Sequence, residues 1–290
     1  MTRLVAIVGP TASGKTDLAI RVAKQFGGEI ICADSRTIYK GMDIGTAKPS
    51  QAERAQVPHH LLDIISPDQT FSAAEFKARA NRVIEEIHSR GGLPILVGGS
   101  GLYVYSVIYD FQFPAGPSNE LRRQLESKAI AELVQQLQQL DPEAAEQIDL
   151  KNPRRVIRAI ETAGQPKAKS QLGAGVILIG LKPDLETLER RISSRVDVMV
   201  EAGFENEVRE IAQTYGWNTE ALTSIGYRAF RPYIEGRGSL EQAKAQFVRG
   251  DLALAKRQLT WFKRNPDIRW FNGVDQAYAA ISSALEKQKV

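Results

Sequence analysis

Eight consecutive residues near the N-terminus, Gly9-Pro10-Thr11-Ala12-Ser13-Gly14-Lys15-Thr16, fit the pattern G-x-x-x-x-G-K-[ST]. Glycines let backbone N–H groups turn inward around phosphate oxygens, and a following helix N-terminus adds partial positive charge. Lys15 supplies a mobile point charge, and Thr16 offers a hydroxyl to Mg²⁺. A diphosphate or triphosphate is therefore expected at residues 9–16, and the motif alone favours ATP. It does not decide the reaction. Asp34 follows the apolar run from Glu29 to Ala33 and heads Asp34-Ser35-Arg36-Thr37. A carboxylate there can hold Mg²⁺ through water, accept a proton from a group attacking beside the phosphates, or simply be solvated. In Val97-Gly98-Gly99-Ser100-Gly101 the glycines permit close approach of backbone to ligand, and the Ser100 hydroxyl can bond a phosphate oxygen. A plain tight turn accounts for the same residues equally well.

These residues must be positioned by the elements around them. Residues 3–8 form an apolar run ending in Gly9-Pro10, and Leu18, Ala19, Val22 and Ala23 follow at helical spacing. The reading is strand, glycine-rich turn, helix. Further strands are expected at Glu29–Ala33, Pro94–Gly98 and Val176–Leu181. Ser72-Ala-Ala-Glu75 is a capping box opening a helix that runs to about Arg90 and is closed by Gly91-Gly92. Strands alternating with helices predict an α/β fold, a P-loop NTPase-like parallel sheet covered by helices, with its ligand site at the C-terminal ends of the strands. Leu121, Leu125, Leu133, Leu137 and Leu140 predict a smaller helical insertion over 114–150, leaving 1–113 and 151–290 as the core with a helical C-terminal region. The longest helix is expected from Ser239 to Arg264, with a break or bend at Gly250.

Composition narrows the class. With 290 residues, 43% of them hydrophobic, the chain can bury a substantial core, and the ordinary glycine, proline and charge contents exclude disordered and fibrous classes. The apolar runs are far shorter than the ~20 residues that span a bilayer. No export signal is evident, and the single cysteine, Cys32, suits a reducing compartment, so cytoplasm is the expected location. The net charge of +4 is uneven: residues 1–150 carry 15 Lys/Arg against 18 Asp/Glu, and residues 151–290 carry 23 against 16. A basic C-terminal half favours a polyanionic partner.

The segments GPTASGKT, ADSRTIYKGMDIGTAKP, VPHHLLDI, FSAAEF, VGGSGLYV, NPRRVIRAIE, RVDVMVEAGFENEV, SIGYR and AKRQLTWFKR, in this order from residue 5 to about 264, resemble the tRNA dimethylallyltransferase (tRNA isopentenyltransferase) family. The resemblance implies Mg²⁺-dependent transfer of a dimethylallyl group from dimethylallyl diphosphate to N6 of the adenosine 3′-adjacent to the anticodon. The loop would then hold a departing diphosphate, Lys15 and Ser100 would assist, and Asp34 would take the N6 proton. It also implies tRNA contacts at Asp34, Ser35, Arg36, Thr37, Ser100, Arg122 and the run Arg154-Arg155-Val156-Ile157-Arg158. Three positions depart from the family pattern: Thr37 stands for the usual Gln, Ser100 for Thr, and Asn152-Pro153-Arg154 for Asp-Pro-Gln. Ser100 keeps the hydroxyl, whereas Thr37 lacks the amide.

On residue types alone, Arg154, Arg155 and Arg158 gather towards one side of a helix, and Arg249, Lys256 and Lys263 share another face, as either phosphate contacts or solvated charge. Trp261 and Phe262 read as core more readily than as base-stacking platforms. His59, His60 and His88 lack metal-ligand spacing and are expected to be non-catalytic, Cys32 is expected to be a small core residue, and the chain is expected to be monomeric. A P-loop phosphotransferase, such as a nucleoside or small-metabolite kinase, is the alternative, and consumption of ATP discriminates it.

Overall fold

The computed structural model describes residues 3–113, 119–163 and 171–288. The strand β1 (Leu4–Val8) leads into α1 (Lys15–Phe26), β2 (Gly28–Cys32), the single turn α2 (Gln51–Arg54), β3 (His59–His60), α3 (Ala73–Ser89), β4 (Leu93–Gly98) and α4 (Gly101–Ile108). Four helices follow: α5 (Asn119–Glu126), α6 (Ile130–Leu140), α7 (Pro142–Gln147) and α8 (Pro153–Glu161). The chain returns as β5 (Val176–Leu181), then α9 (Leu185–Glu201), α10 (Phe204–Tyr215), α11 (Ile225–Ile234), α12 (Leu240–Phe262), β6 (Arg269–Phe271) and α13 (Val274–Lys287).

All six strands are parallel, in the order β3-β2-β4-β1-β5-β6, so the expected α/β parallel sheet of P-loop type is the fold. Strand β1 lies between β4 and β5, with Val5 opposite both Ile95 and Ile177. Every residue of β1 is buried. Its side chains alternate between two cores: Val5 and Ile7 join Leu18 and Val22 of α1 and Ile281 of α13, while Leu4, Ala6 and Val8 join Phe76 of α3, Val104 of α4 and Phe262 of α12. Helices on both faces explain why the strand reads as an unbroken apolar run. A third core unites the segment around Ile38 and Met42 with Phe204, Tyr227 and Phe247 from α10, α11 and α12.

Local signals account for the element ends. Ser72 and Glu75 form the reciprocal capping box at α3, and Ser239 and Gln242 form another at α12. At Gly250 the expected break does not occur. Helix α12 runs through it, because the missing side chain makes room for α11: a Cβ there would lie 2.4 Å from Cγ2 of Ile225. Two short edge strands, β3 and β6, extend the sheet beyond the strands expected from the sequence.

The chain divides into two compact units, Met1–Asp110 with Gln171–Val290, and Phe111–Ser170. The helical unit therefore extends beyond the expected 114–150 to include α8. The reason is its apolar stripe: Val156, Ile157 and Ile160 share one core with Leu125, Leu133 and Leu137 of α5 and α6. Pro114, the expected start of the insertion, lies outside the described residues.

Candidate active site

The phosphate-loop motif occupies the turn from β1 to α1, at the C-terminal edge of the sheet. Gly9 has φ +148°, and a Cβ on it would meet the Leu181 carbonyl oxygen at 2.6 Å, so both conformation and space require glycine. Gly14, at φ +92°, is the left-handed N-cap of α1. From Thr11 to Thr16 the loop lines a cavity of about 700 Å³. Gly9 and Pro10 do not line it: Gly9 directly follows the strand, and the Pro10 carbonyl accepts a 2.6 Å hydrogen bond from Lys15 Nζ, so both shape the loop instead of forming its wall.

Asp34, Ser35, Arg36, Thr37 and Ser100 line the same cavity, which brings the three sequence clusters together. The Asp34 carboxylate is fixed by the Arg36 backbone N–H, which donates to Oδ1 at 2.8 Å. The Ser35 backbone N–H donates to Ser100 Oγ at 2.9 Å, tying the β2 end to the β4 turn. A Cβ on Gly98 would come within 1.9 Å of the Ala33 carbonyl oxygen, so the close approach of these two strand ends demands glycine. Thr37 is buried, its hydroxyl 3.4 Å from the Asp34 carbonyl oxygen, which explains how the residue is accommodated without an amide. Arg36 reaches across to donate to the Glu220 carbonyl oxygen at 3.0 Å.

Part of the cavity wall is apolar, formed by Val97, Met199, Ile225, Phe247 and Leu254, with Cys32 beside them. Electrostatics are concentrated at the loop. Desolvation pushes the Lys15 ammonium down to about 8, Asp34 opposes that shift, and nearby Arg195 adds to it. Ser13 Oγ is buried without a hydrogen-bond partner among the described residues. Cys32 is buried and its thiol is pushed up to about 12, by desolvation first and Asp34 second, so it stays a protonated wall residue. His59 also reaches the wall, with Nδ1 2.9 Å from the Val57 carbonyl oxygen and its pKa lowered mainly by burial, whereas His60 sits 2.7 Å from Glu29.

Three further wall residues, and one that supports the wall from behind, lie outside the sequence expectations. Arg195 of α9 and Asp251 of α12 form a 2.6 Å ion pair in the cavity. Gln258 of α12 bridges two loops: its Oε1 accepts from the Thr11 backbone N–H at 2.9 Å, and its Nε2 donates to the Gly99 carbonyl oxygen at 3.1 Å. Glu207 of α10 accepts from the backbone N–H groups of Asp43, Ile44 and Gly45 at 2.8, 2.7 and 2.9 Å, holding the segment that borders the cavity. Arg195 and Glu207 fall in the segment RVDVMVEAGFENEV and Gln258 in AKRQLTWFKR, whereas Asp251 lies outside every segment that carries the resemblance. Trp261 corrects the core reading: it is 43% exposed and packed against Gly101 and Tyr105, while its neighbour Phe262 is fully buried.

In the helical unit, Arg154 and Arg155 are exposed, but Val156 and Ile157 are buried and cannot offer side chains to tRNA; their part is to hold α8 in place. Arg122 pairs with Glu126 at 2.8 Å and Glu161 at 2.7 Å, and Arg158 pairs with Glu161 at 3.2 Å. Among the described residues no helix is long and apolar enough to cross a membrane.

A parallel sheet with a glycine-lysine loop opening on a cavity defines the class, a P-loop-type α/β protein. The family model for IPP transferase matches residues 37–265. The chain is 45% identical to the tRNA dimethylallyltransferase of Anoxybacillus flavithermus over 94% of its own length and 91% of that protein, and 44% identical to that of Roseiflexus sp., over 92% of each. It superposes with a TM-score of 0.76 on a tRNA isopentenylpyrophosphate transferase from Bacillus halodurans, at 38% identity and covering 100% of this chain and 98% of that one. A eukaryotic dimethylallyltransferase acting on tRNA gives a TM-score of 0.84 at 26% identity, covering 93% of this chain and 74% of that one. The chain belongs to the tRNA dimethylallyltransferase family of prenyl-transferring enzymes.

Proposed function

We propose that the chain, acting as a cytoplasmic monomer, transfers the dimethylallyl group of dimethylallyl diphosphate to N6 of the adenosine 3′-adjacent to the anticodon in tRNA. The observation that carries this reading is the single cavity in which the loop Thr11–Thr16, the Asp34 carboxylate and an apolar wall meet. A diphosphate fits the loop, and a short branched hydrocarbon fits the wall formed by Val97, Ile225 and Leu254. In the step itself, N6 attacks the allylic carbon, the carbon–oxygen bond to the diphosphate breaks, and the electron pair departs with the diphosphate. Asp34 accepts the N6 proton as the new bond forms; adenine N6 is a weak nucleophile because its lone pair is delocalised into the ring, so removing that proton lowers the barrier. Backbone N–H groups of the loop, the Ser13 hydroxyl, which has no partner among the described residues, Lys15 and Arg195 stabilise charge growing on the leaving group.

Mg²⁺ fits these residues as an ion that arrives with its substrate. The described residues contain no group of three or more His, Cys, Asp or Glu able to hold a metal by themselves. Thr16, on the first turn of α1 and in the cavity wall, offers one hydroxyl, and Mg²⁺ is commonly bound by one or two protein oxygens plus substrate phosphates. Bound there, the ion would supply charge neutralisation to the diphosphate oxygens. On the RNA side, Ser35, Arg36, Arg122, Arg154, Arg155 and Arg158 are the proposed contacts.

The test is incubation with Mg²⁺, labelled dimethylallyl diphosphate and unmodified tRNA. Label on the adenosine beside the anticodon is expected, without ATP. Label elsewhere, or a strict requirement for ATP hydrolysis, refutes the reading and favours phosphotransfer.

A further inference from the structure

Two carboxylates, Asp34 and Asp251, line the cavity beside the cations Lys15, Arg36, Arg195, Arg228 and Arg257, and the proposed reaction gives a role to only one of the two. Lys15 and Asp34 are a cation and a carboxylate with stated roles. Arg195 and Asp251 are an ion pair, joined at 2.6 Å between Nη2 and Oδ2, with Asp251 only 6% exposed. A carboxylate in a site for a diphosphate is unexpected on charge grounds, since it repels the ligand. Burial and the proximity of Asp34 both raise its pKa, and only Arg195 favours its charged form. Such a group is retained at a cost, so its geometry is the informative property.

That geometry is one-sided. A guanidinium carries five N–H donors in a rigid fork. Asp251 engages Nη2 alone, Arg195 Nε is buried with no partner among the described residues, and the cation is close enough to Lys15 to lower its pKa. Two cations side by side with unspent buried donors form a place for an anion. Arg195 stands on α9 and Asp251 on α12, so the pair also fixes the arginine against a second helix in addition to its own.

We infer that Asp251 is a positioning residue for diphosphate binding: it holds one arm of Arg195 from α12 so that the remaining donors of the guanidinium face the phosphate loop. This rests on the reading of the loop as the diphosphate cradle. The side chain itself touches no substrate; its effect is transmitted through Arg195. Charge repulsion and positioning then make opposite predictions. If Asp251 were only a nearby negative charge, removing it would tighten anion binding. If it positions Arg195, removing it loosens binding.

The experiment measures KM for dimethylallyl diphosphate and inhibition by inorganic diphosphate in Asp251→Ala, Asp251→Asn, Arg195→Ala and the Asp251→Ala/Arg195→Ala double variant, with thermal melts to confirm folding. Asp251→Ala is expected to raise both constants ~10–100-fold, the range for losing a hydrogen bond to a charged group, and to lower kcat as well, because Arg195 also stabilises the charge that grows on the departing diphosphate. Asp251→Asn keeps an oxygen acceptor for Nη2 and recovers most of that loss. In the Arg195→Ala background, Asp251→Ala is expected to cost nothing further, because the group it orients is gone. Unchanged or tighter binding in Asp251→Ala, or equal losses with and without Arg195, overturns the inference. If inorganic diphosphate fails to compete with the donor in the unaltered protein, the cradle reading fails, and the positioning role falls with it.

Discussion

The lowered pKa of Lys15 makes donor binding pH-dependent in a direction that can be worked out. Its ordinary value of 10.5 falls to about 8 because the ammonium is desolvated in the cavity. At 1.36 kcal/mol per pKa unit, keeping it charged at neutral pH costs the empty protein about 3 kcal/mol. The sign follows for a lysine shifted down: the cost is fully present below pH 8, and it is relieved as pH rises from 8 towards 10.5, when the folded protein releases the proton that the unfolded chain keeps. An anion in the cradle favours the charged form, so binding takes up a proton wherever Lys15 is neutral beforehand. Affinity for dimethylallyl diphosphate should therefore be flat below about pH 7.5 and fall as pH rises, reaching about tenfold weaker near pH 9, where about one Lys15 in ten is charged. The donor's terminal phosphate, with its last pKa near ~6, is already ionised over this range. Cys32, held up at about 12, stays a thiol. The assay is equilibrium binding of the donor without tRNA from pH 7 to 9.5, in the unaltered protein and in Lys15→Arg, whose charge does not titrate. A flat profile in the unaltered protein, or an equal decline in both, refutes the assignment of Lys15 as the cradle's titrating cation.

Asp34→Asn preserves shape but cannot take the N6 proton, so single-turnover transfer should fall ~10²–10⁴-fold with tRNA affinity nearly retained; a near-normal rate removes Asp34 from the role of base. Gly98→Ala places a Cβ 1.9 Å from a backbone oxygen that cannot rotate away, and a loss of about 1–3 kcal/mol or more is expected in denaturant melts. Gly273→Ala is its control, since nothing lies within 4 Å of that position and its φ is −130°; equal losses at the two sites contradict the close-approach argument. Arg155→Ala should lower tRNA affinity and reduce the slope of log affinity against log salt by ~0.7–0.9 if the residue contacts phosphate. Altered discrimination among tRNAs at constant slope would indicate base reading, and no change would indicate a solvated face.

What is legible in the sequence is what the chain encodes within a few residues. The phosphate loop is contiguous, and β1, β4 and β5 are apolar runs because helices cover both faces of the sheet. Ser72 and Glu75 specify a helix start three residues apart. Illegible features depended on distance or on faint local signals. Strand β3 has two residues and β6 has three, too short for periodicity, and both are defined by their partners on β2 and β5. Arg195, Asp251 and Gln258 reach the loop from helices far along the chain, so no spacing rule reports them. In α8 the arginines drew attention to the exposed side, while Val156 and Ile157 on the other side decided which unit the helix joins. A glycine within a helix is ambiguous from sequence, and Gly250 does not break α12: it admits Ile225 of the neighbouring helix.

The strand order also sets a timetable for synthesis. The central strand β1 is made first, yet only one of its neighbours, β4, arrives within the first hundred residues, and the other, β5, begins at Val176. At about 5–20 residues per second, the interval between the end of β4 and the start of β5 is about 4–16 s. Throughout it, β1 presents an unpaired apolar edge of five residues, the kind of surface that recruits strands from other chains. The helical segment emerging in that interval supplies no strand to cover it. The nascent protein is therefore most exposed to misassociation midway through translation, and a pause placed between residues 98 and 176 should lower its soluble yield more than the same pause placed after residue 181.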